Sequence, residues 1–280
     1  MITKTNIDRF SPIVSDAIDE LFNHCINKEC RDNEFLIFLE NGHYDEAVTI
    51  NSSGKNSPYI IGQGFDGIKD LDRMAFVETF VQMPFEELIN KTTHPQEKFD
   101  IRRQSTALSM MVYTHFWESK VFLRRLRLLA ILAEGKEYDW KLVVRPKETY
   151  TYIKKNIRQV FQNQNLKIYD IIKKTYKSQI RNAFAHSDYY LSDGKVCLDN
   201  YDSKNKWSIE SVTFAEFDEI IILTLLIHDS LTKKIEEYIA KLGAENPDRN
   251  IYIPENGGVS RTLHYRQTGS NSRWLWANQL

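Results

Sequence analysis

Apolar positions recur along the chain with two different periods, and the change from one to the other divides it. In the first hundred residues the signals are mixed. The stretch "SPIVSDAIDELFNHC" has helical spacing, with Ser11 in the N-cap position and Pro12 at the first helical position. "NEFLIFLENG" and "EAVTI" are short apolar runs that read as strands. "NSSGKNSPYIIGQGFDG" is rich in Gly, Ser and Asn and reads as a loop, and its glycines lack the spacing of a phosphate-binding loop. "IKDLDRMAFVETFVQM" returns to helical periodicity and stops before Pro84.

From about Arg103 the helical period dominates. Leu108, Val112, Phe122, Leu126, Leu129 and Ala133 form one stripe, with His115 and Ser119 filling its gap and Gly135 as the stop. Pro146 opens a second helix through Phe161. A third starts near Leu166 and buries Tyr169, Ile172, Tyr176, Ile180 and Ala183. "SDG" is a turn signal between "DYYL" and "KVCLDN", and "KWSIESV" adds a third strand-like run, which together make a small β-meander between helices. Thr213 and Glu216 have capping-box spacing and open a last long helix, whose stripe runs from Phe214 to Leu242 and stops at Gly243. Its middle is apolar on most faces, which makes it a central bundle helix. After Pro247, "VSRTLHYRQ" and "SRWLWANQ" are strand-like runs. The expected organisation is mainly α: a mixed α/β segment over 1–100, a helical bundle over 101–243 with the meander inserted, and a strand-like tail over 244–280.

Composition sharpens this picture in one respect. The 280 residues are 42% hydrophobic and carry a net charge of −1, so no nucleic-acid role follows from total charge. The distribution is uneven: residues 1–100 hold 9 Lys/Arg against 18 Asp/Glu, and residues 101–280 hold 28 against 20. Different partners for the two parts follow. Cys25, Cys30 and Cys197 form neither a disulfide framework nor a metal knuckle, so free thiols in an intracellular setting are expected. The N-terminus has no uninterrupted apolar region of the signal-peptide kind, and "IIILTLLI" is too short to span a bilayer. A cytoplasmic protein with no membrane partner is the expectation.

The chemistry concentrates in "IRNAFAHSDYYL". On an ideal helix Asn182 and His186, four apart, share a face. Arg181 and His186, five apart, are turned by about 140° and separated by about 7.5 Å along the axis. A joint site therefore requires a distorted helix end, a second copy of the motif, or both. Cleavage of RNA without a metal needs a proton-transferring group for the 2′-hydroxyl and the leaving oxygen, which histidine supplies near neutral pH. It also needs a fixed cation for the charge on the pentavalent phosphorus, which a guanidinium supplies. No carboxylate cluster calls for a metal.

"RNAFAH" resembles the R-x(4–6)-H signature of HEPN (higher eukaryote and prokaryote nucleotide-binding) domains, including the polar residue directly after the arginine. The setting is also similar, with the motif late in a helix of a bundle and another helix following. The resemblance covers roughly residues 103–243. It implies a metal-independent endoribonuclease with no cofactor, acting where two copies meet in a homodimer. His186 would be the acid/base, Arg181 the phosphate-stabilising group and Asn182 their orienting partner. It also implies work as a toxin, an abortive-infection factor or another antiviral-defence effector, with an antitoxin or regulatory protein as partner. One branch has a tyrosine two residues after the histidine, where this chain has Asp188 and then Tyr189. Some members are non-catalytic scaffolds for dimerisation or RNA binding, and that alternative stays open, as does a nucleotide-sensing effector.

Three further features bear on this reading. Residues 147–181 hold nine Lys/Arg against Glu148 and Asp170, and Lys173, Lys174 and Lys177 lead into the motif as candidate RNA contacts. The bland alternative is a solvated helix face. His115 and Glu118 either serve as supporting groups for Arg181 and His186 or belong to a satisfied polar network within the bundle, like Thr224 and His228. The tail's Arg261, His264, Arg266, Arg273, Trp274 and Trp276 suit single-stranded nucleic acid in principle, but packing on the domain or on a partner chain is the preferred expectation.

Overall fold

Thr3, not Ser11, starts the first helix. In the computed structural model, which describes residues 2–47, 57–62, 72, 75–144, 149–255, 258–268 and 271–276, helix α1 spans Lys4–Asn27 and the Thr3 hydroxyl accepts the Asn6 N–H at 3.3 Å. Pro12 lies inside this helix, more than two turns past its first residue and not at the N-terminal position expected of it. Phe10, Val14, Ala17, Ile18, Leu21, Phe22 and Cys25 form its buried face and lie along the last long helix.

"NEFLIFLENG" is helical rather than a strand. Helix α2 (Glu34–Leu39) is buried at all six positions, so neither a helical nor a strand period can appear in it. The start is fixed by a carboxylate a few residues upstream. Asn33 turns left-handed at φ 66°, and Glu29 accepts the Asn33 and Phe35 N–H groups at 3.3 and 2.6 Å. Strands β1 (His43–Tyr44) and β2 (Tyr59–Ile60) pair antiparallel. In "EAVTI", Glu46 and Ala47 are helical and 48–50 lie outside the described residues, as does most of the Gly/Ser/Asn-rich loop. Residues 75–81 are helical, as the periodicity expects, and helix α3 (Phe85–Lys91) follows Pro84.

The stripe from Arg103 divides into α4 (Pro95–Trp117) and α5 (Lys120–Ala133). The gap in its apolar pattern is a real break: the buried Ser119 caps α5, its hydroxyl accepting the Phe122 N–H at 3.1 Å. Gly135 then ends α5 at φ 67°. Residue 100 lies inside α4, and α1 and α2 share one hydrophobic cluster with α4, α5 and the later helices. Pro146 is outside the described residues. The following helical stretch, 149–163, here α6, contains a π-helical segment over Tyr152–Arg158.

The next helix is interrupted as well. Helix α7 (Ile168–Thr175) stops at Tyr176 and Lys177, both extended, and α8 (Ser178–His186) starts afresh. Strands β3 (Tyr189–Ser192), β4 (Lys195–Leu198) and β5 (Ser211–Thr213) form the expected meander, with Tyr189 opposite Leu198 and Val196 opposite Val212. Helix α9 (Phe214–Glu245) opens with the expected capping box. It passes through Gly243 instead of stopping there, and a Cβ at that position would stand 2.3 Å from the Tyr265 ring. The glycine serves close packing, not termination.

The tail forms an antiparallel sheet of β6 (Asp248–Ile253), β7 (Val259–Thr268) and β8 (Asn271–Trp276). Strand β6 has no counterpart in the sequence reading. The sheet packs on its own domain, with β8 against α9. Trp274 is fully buried, and its backbone N–H donates to Glu40 at 3.0 Å. The protein is mainly α, about 60% helical. Among the described residues no helix is long and apolar enough to cross a membrane. Cys25, Cys30 and Cys197 are free thiols.

Candidate functional site

Helix α8 is held by what it buries and by what ties down its two ends. Ile180 and Ala183 face the core and pack against α4. Its start depends on a single hydroxyl from that neighbour. Tyr113 on α4 accepts the Lys177 N–H at 2.8 Å and donates to the Thr175 carbonyl at 3.0 Å, with the Lys177 carbonyl at 3.2 Å as the alternative acceptor. One oxygen thus satisfies backbone groups on both sides of the break, which is why the chain can leave the helical path inside the core. At the other end Ser187 turns left-handed at φ 60° and the Asp188 N–H reaches back to the Ala183 carbonyl at 2.8 Å. That closure exposes the last turn and ends the helix directly after His186.

Gln179 fixes the approach from the meander. Its amide nitrogen donates to the Ile209 carbonyl at 2.8 Å and its amide oxygen accepts the Ile209 N–H at 2.8 Å, while Asn200 donates to the Gln179 carbonyl at 3.1 Å. The loop between β4 and β5 is therefore pinned to the first turn of α8. Neither Tyr113 nor Gln179 was singled out from the sequence. Both contacts join residues far apart in the chain, and no local pattern announces them.

Arg181, Asn182 and His186 all lie on this regular helix. The bend is upstream, at Tyr176–Lys177, and not between the arginine and the histidine. Instead the long arginine side chain crosses to its neighbour. Its Nε and Nη2 donate to the Asn182 Oδ1 at 3.2 and 2.7 Å. The guanidinium thereby leans towards the face that Asn182 shares with His186, a full turn away. Arg181 is largely covered, whereas Asn182 and His186 are exposed.

Glu118, at the break between α4 and α5, approaches Arg181 to 3.9 Å. With Glu118 half-exposed, a pair at that distance orients the arginine more than it stabilises the fold. His115 turns elsewhere, with its ring edge-on to Phe76 at 5.8 Å. Thr224 and His228 are both buried: Thr224 donates to the Ile220 carbonyl at 2.8 Å, as a hydrogen-bonded core group should, while the His228 ring packs against Phe116 and Phe122.

The electrostatics around Arg181 are cationic and partly dry. Burial pushes the Tyr176 hydroxyl up to about 12, opposed by the nearby Arg181 and Arg158 charges. Burial also raises Tyr113, again against Arg181. Lys177 is half-buried and held below the usual lysine range, first by desolvation and then by Arg158, Lys173 and Lys174. The three candidate lysines differ in what they offer. Lys177 donates to the Lys173 carbonyl at 3.1 Å, Lys174 is paired with Glu219 at 2.5 Å, and Lys173 lies over the Tyr169 ring at 5.4 Å. Arg158, delivered by the π-helical segment, completes the cationic group. Such a surface favours a polyanion next to the arginine and an exposed imidazole.

Among the described residues no group of three or more His, Cys, Asp or Glu side chains is placed to hold a metal ion. No family model, no curated protein and no solved structure matches the chain.

Proposed function

We propose that the chain is a HEPN-type endoribonuclease that cleaves RNA by attack of a 2′-hydroxyl, working as a homodimer in which two α8 helices share one cleft. The observation that carries the reading is the bond between the Arg181 guanidinium and the Asn182 amide oxygen, on the face that Asn182 shares with the exposed His186. In the proposed reaction one His186 imidazole takes the 2′-hydroxyl proton as the 2′-oxygen bonds to phosphorus. The other copy's imidazole, protonated, delivers a proton to the departing 5′-oxygen. The products are a 2′,3′-cyclic phosphate and a 5′-hydroxyl. Arg181 meets the charge that builds on the non-bridging oxygens, Asn182 holds its fork in place, and Arg158, Lys173 and Lys177 hold the strand. A cleaving enzyme of this kind arrests growth when active, which suits a toxin or antiviral-defence effector restrained by an antitoxin or regulatory partner.

The test is RNA cleavage in EDTA by wild type, Arg181→Ala and His186→Ala. Cleavage by wild type with cyclic-phosphate ends, and loss of about a hundredfold or more in each variant, is expected. Equal cleavage by all three removes the catalytic assignment. Binding of RNA without cleavage by wild type supports a scaffold instead. A strictly monomeric mass at working concentration is incompatible with the shared cleft.

A further inference from the structure

A second site lies at the start of α5. A cavity of about 250 Å3 opens there, walled by His43 and Tyr44 of β1, by Lys120 and Arg124 of α5, and by Trp140 and Lys141 of the following loop. The cations arrive from two segments, Lys120 and Arg124 from α5 and Lys141 from the loop, and the lining contains no carboxylate. The carboxylates next to the lining in sequence are turned to other partners: Asp139 accepts the Lys141 backbone N–H at 3.0 Å, Asp45 accepts the Ala47 N–H at 2.9 Å, and Glu118 approaches Arg181 at 3.9 Å.

Arg124 is the informative residue. Its guanidinium is buried, 7% exposed, yet its hydrogen-bond acceptors are neutral: the Asn41 side-chain oxygen at 2.9 Å and the Gly42 carbonyl at 2.8 Å. Tyr138 donates to the same Gly42 carbonyl at 2.6 Å. The donors are satisfied while the charge is not. Among the described residues Arg124 has no carboxylate within ion-pair distance, and neither do Lys120 or Lys141. The Lys141 ammonium rests over the Tyr44 ring at 4.2 Å. Burying a charge without a counter-charge is costly, and an open cavity beside such a charge is where an anion would restore the balance.

We infer that this cavity binds a small organic phosphate. Three permanent cations and an imidazole around one space suit a tetrahedral dianion better than a planar monoanion. The uncharged part of the wall sets the rest of the ligand. Tyr44, Trp140 and the exposed Val143 offer ring and aliphatic surface next to the cations, which accommodates a carbon-containing group that bare phosphate lacks. The Lys120 and Lys141 ammonium groups clasp the phosphate at the mouth, and Arg124 supplies field from below. The site is separate from α8 and does not depend on the ribonuclease reading.

The experiment measures thermal unfolding and titration calorimetry of the full chain at matched ionic strength. The probes are glycerol 3-phosphate, a nucleoside 5′-monophosphate, inorganic phosphate and succinate, against chloride. At about a hundredfold excess over Kd an organic phosphate raises Tm by roughly 5 °C. Lys120→Ala combined with Lys141→Ala, both exposed and outside the core, lowers the affinity at least about tenfold. Retained affinity in that double variant overturns the proposal. So does a shift given only by inorganic phosphate or succinate, or no shift with either organic phosphate. Preference for the monophosphate over glycerol 3-phosphate supports it and identifies a ring-bearing ligand.

Discussion

Replacing Tyr113 with Phe isolates one hydroxyl on which the position of the motif helix depends. The ring would keep its place, since it packs edge-on to Phe217 at 5.9 Å in a fully buried position. What disappears is the acceptor for the Lys177 N–H and the donor to the Thr175 carbonyl. A buried backbone group left without a partner costs about 1–3 kcal/mol. Two such groups, with some relaxation of the extended Tyr176–Lys177 link, give a loss of about 2–4 kcal/mol. For a chain of this size that lowers Tm by roughly 5 °C. The local signature is more specific than the global one: the Lys177 amide and the first amides of α8 should exchange with deuterium faster than those of α9 in the same sample. Thermal unfolding with exchange mass spectrometry reads both. A Tm within about 2 °C of wild type, with unchanged exchange at Lys177, would refute the claim that this hydroxyl closes the break.

Two further expectations follow from other contacts. Burial raises the Glu40 carboxyl to about 7, partly offset by the Trp274 N–H and the Arg273 charge. A carboxyl raised in the folded state opposes folding once ionised, so its cost is absent below the unfolded value of about 4.5, grows as pH rises and is complete above about 7. Glu40→Gln should therefore gain stability over wild type progressively between pH 5 and 7.5, read by Tm across that range; parallel curves would sink the assignment. Gly243→Ala would force a methyl into the Tyr265 ring. The crowding costs about 1–3 kcal/mol against a helix-propensity gain of up to about 1, so a lower urea midpoint is expected, and an unchanged midpoint would show that the sheet gives way freely.

The long, strongly patterned elements were legible in the sequence. The capping box at Thr213 and Glu216, the turn at Asp193–Gly194 that joins β3 to β4, and the stop at Gly135 are local chemistry, set by residues within a few positions of one another. The motif's geometry was half legible. Helical spacing separates Arg181 from His186 and pairs Asn182 with His186, but not that the arginine would cross to Asn182. The path of a long side chain depends on what surrounds it, here Glu118 at 3.9 Å and the buried Tyr176 and Tyr113 within electrostatic reach. "NEFLIFLENG" has no period because every face of α2 is buried, and its helical start is set by Glu29.

Local sequence thus determined the mainly helical class, the meander, and a helix carrying arginine, asparagine and histidine at fixed angles. Only the tertiary structure decided where helices break and what they touch. The break at Tyr176–Lys177 has no glycine or proline to mark it. It exists because a tyrosine more than sixty positions earlier can satisfy the backbone groups that leaving the helix would otherwise strand in the core. Hydrogen-bond partners brought together by packing are not neighbours in sequence, and a pattern read along the chain cannot contain them.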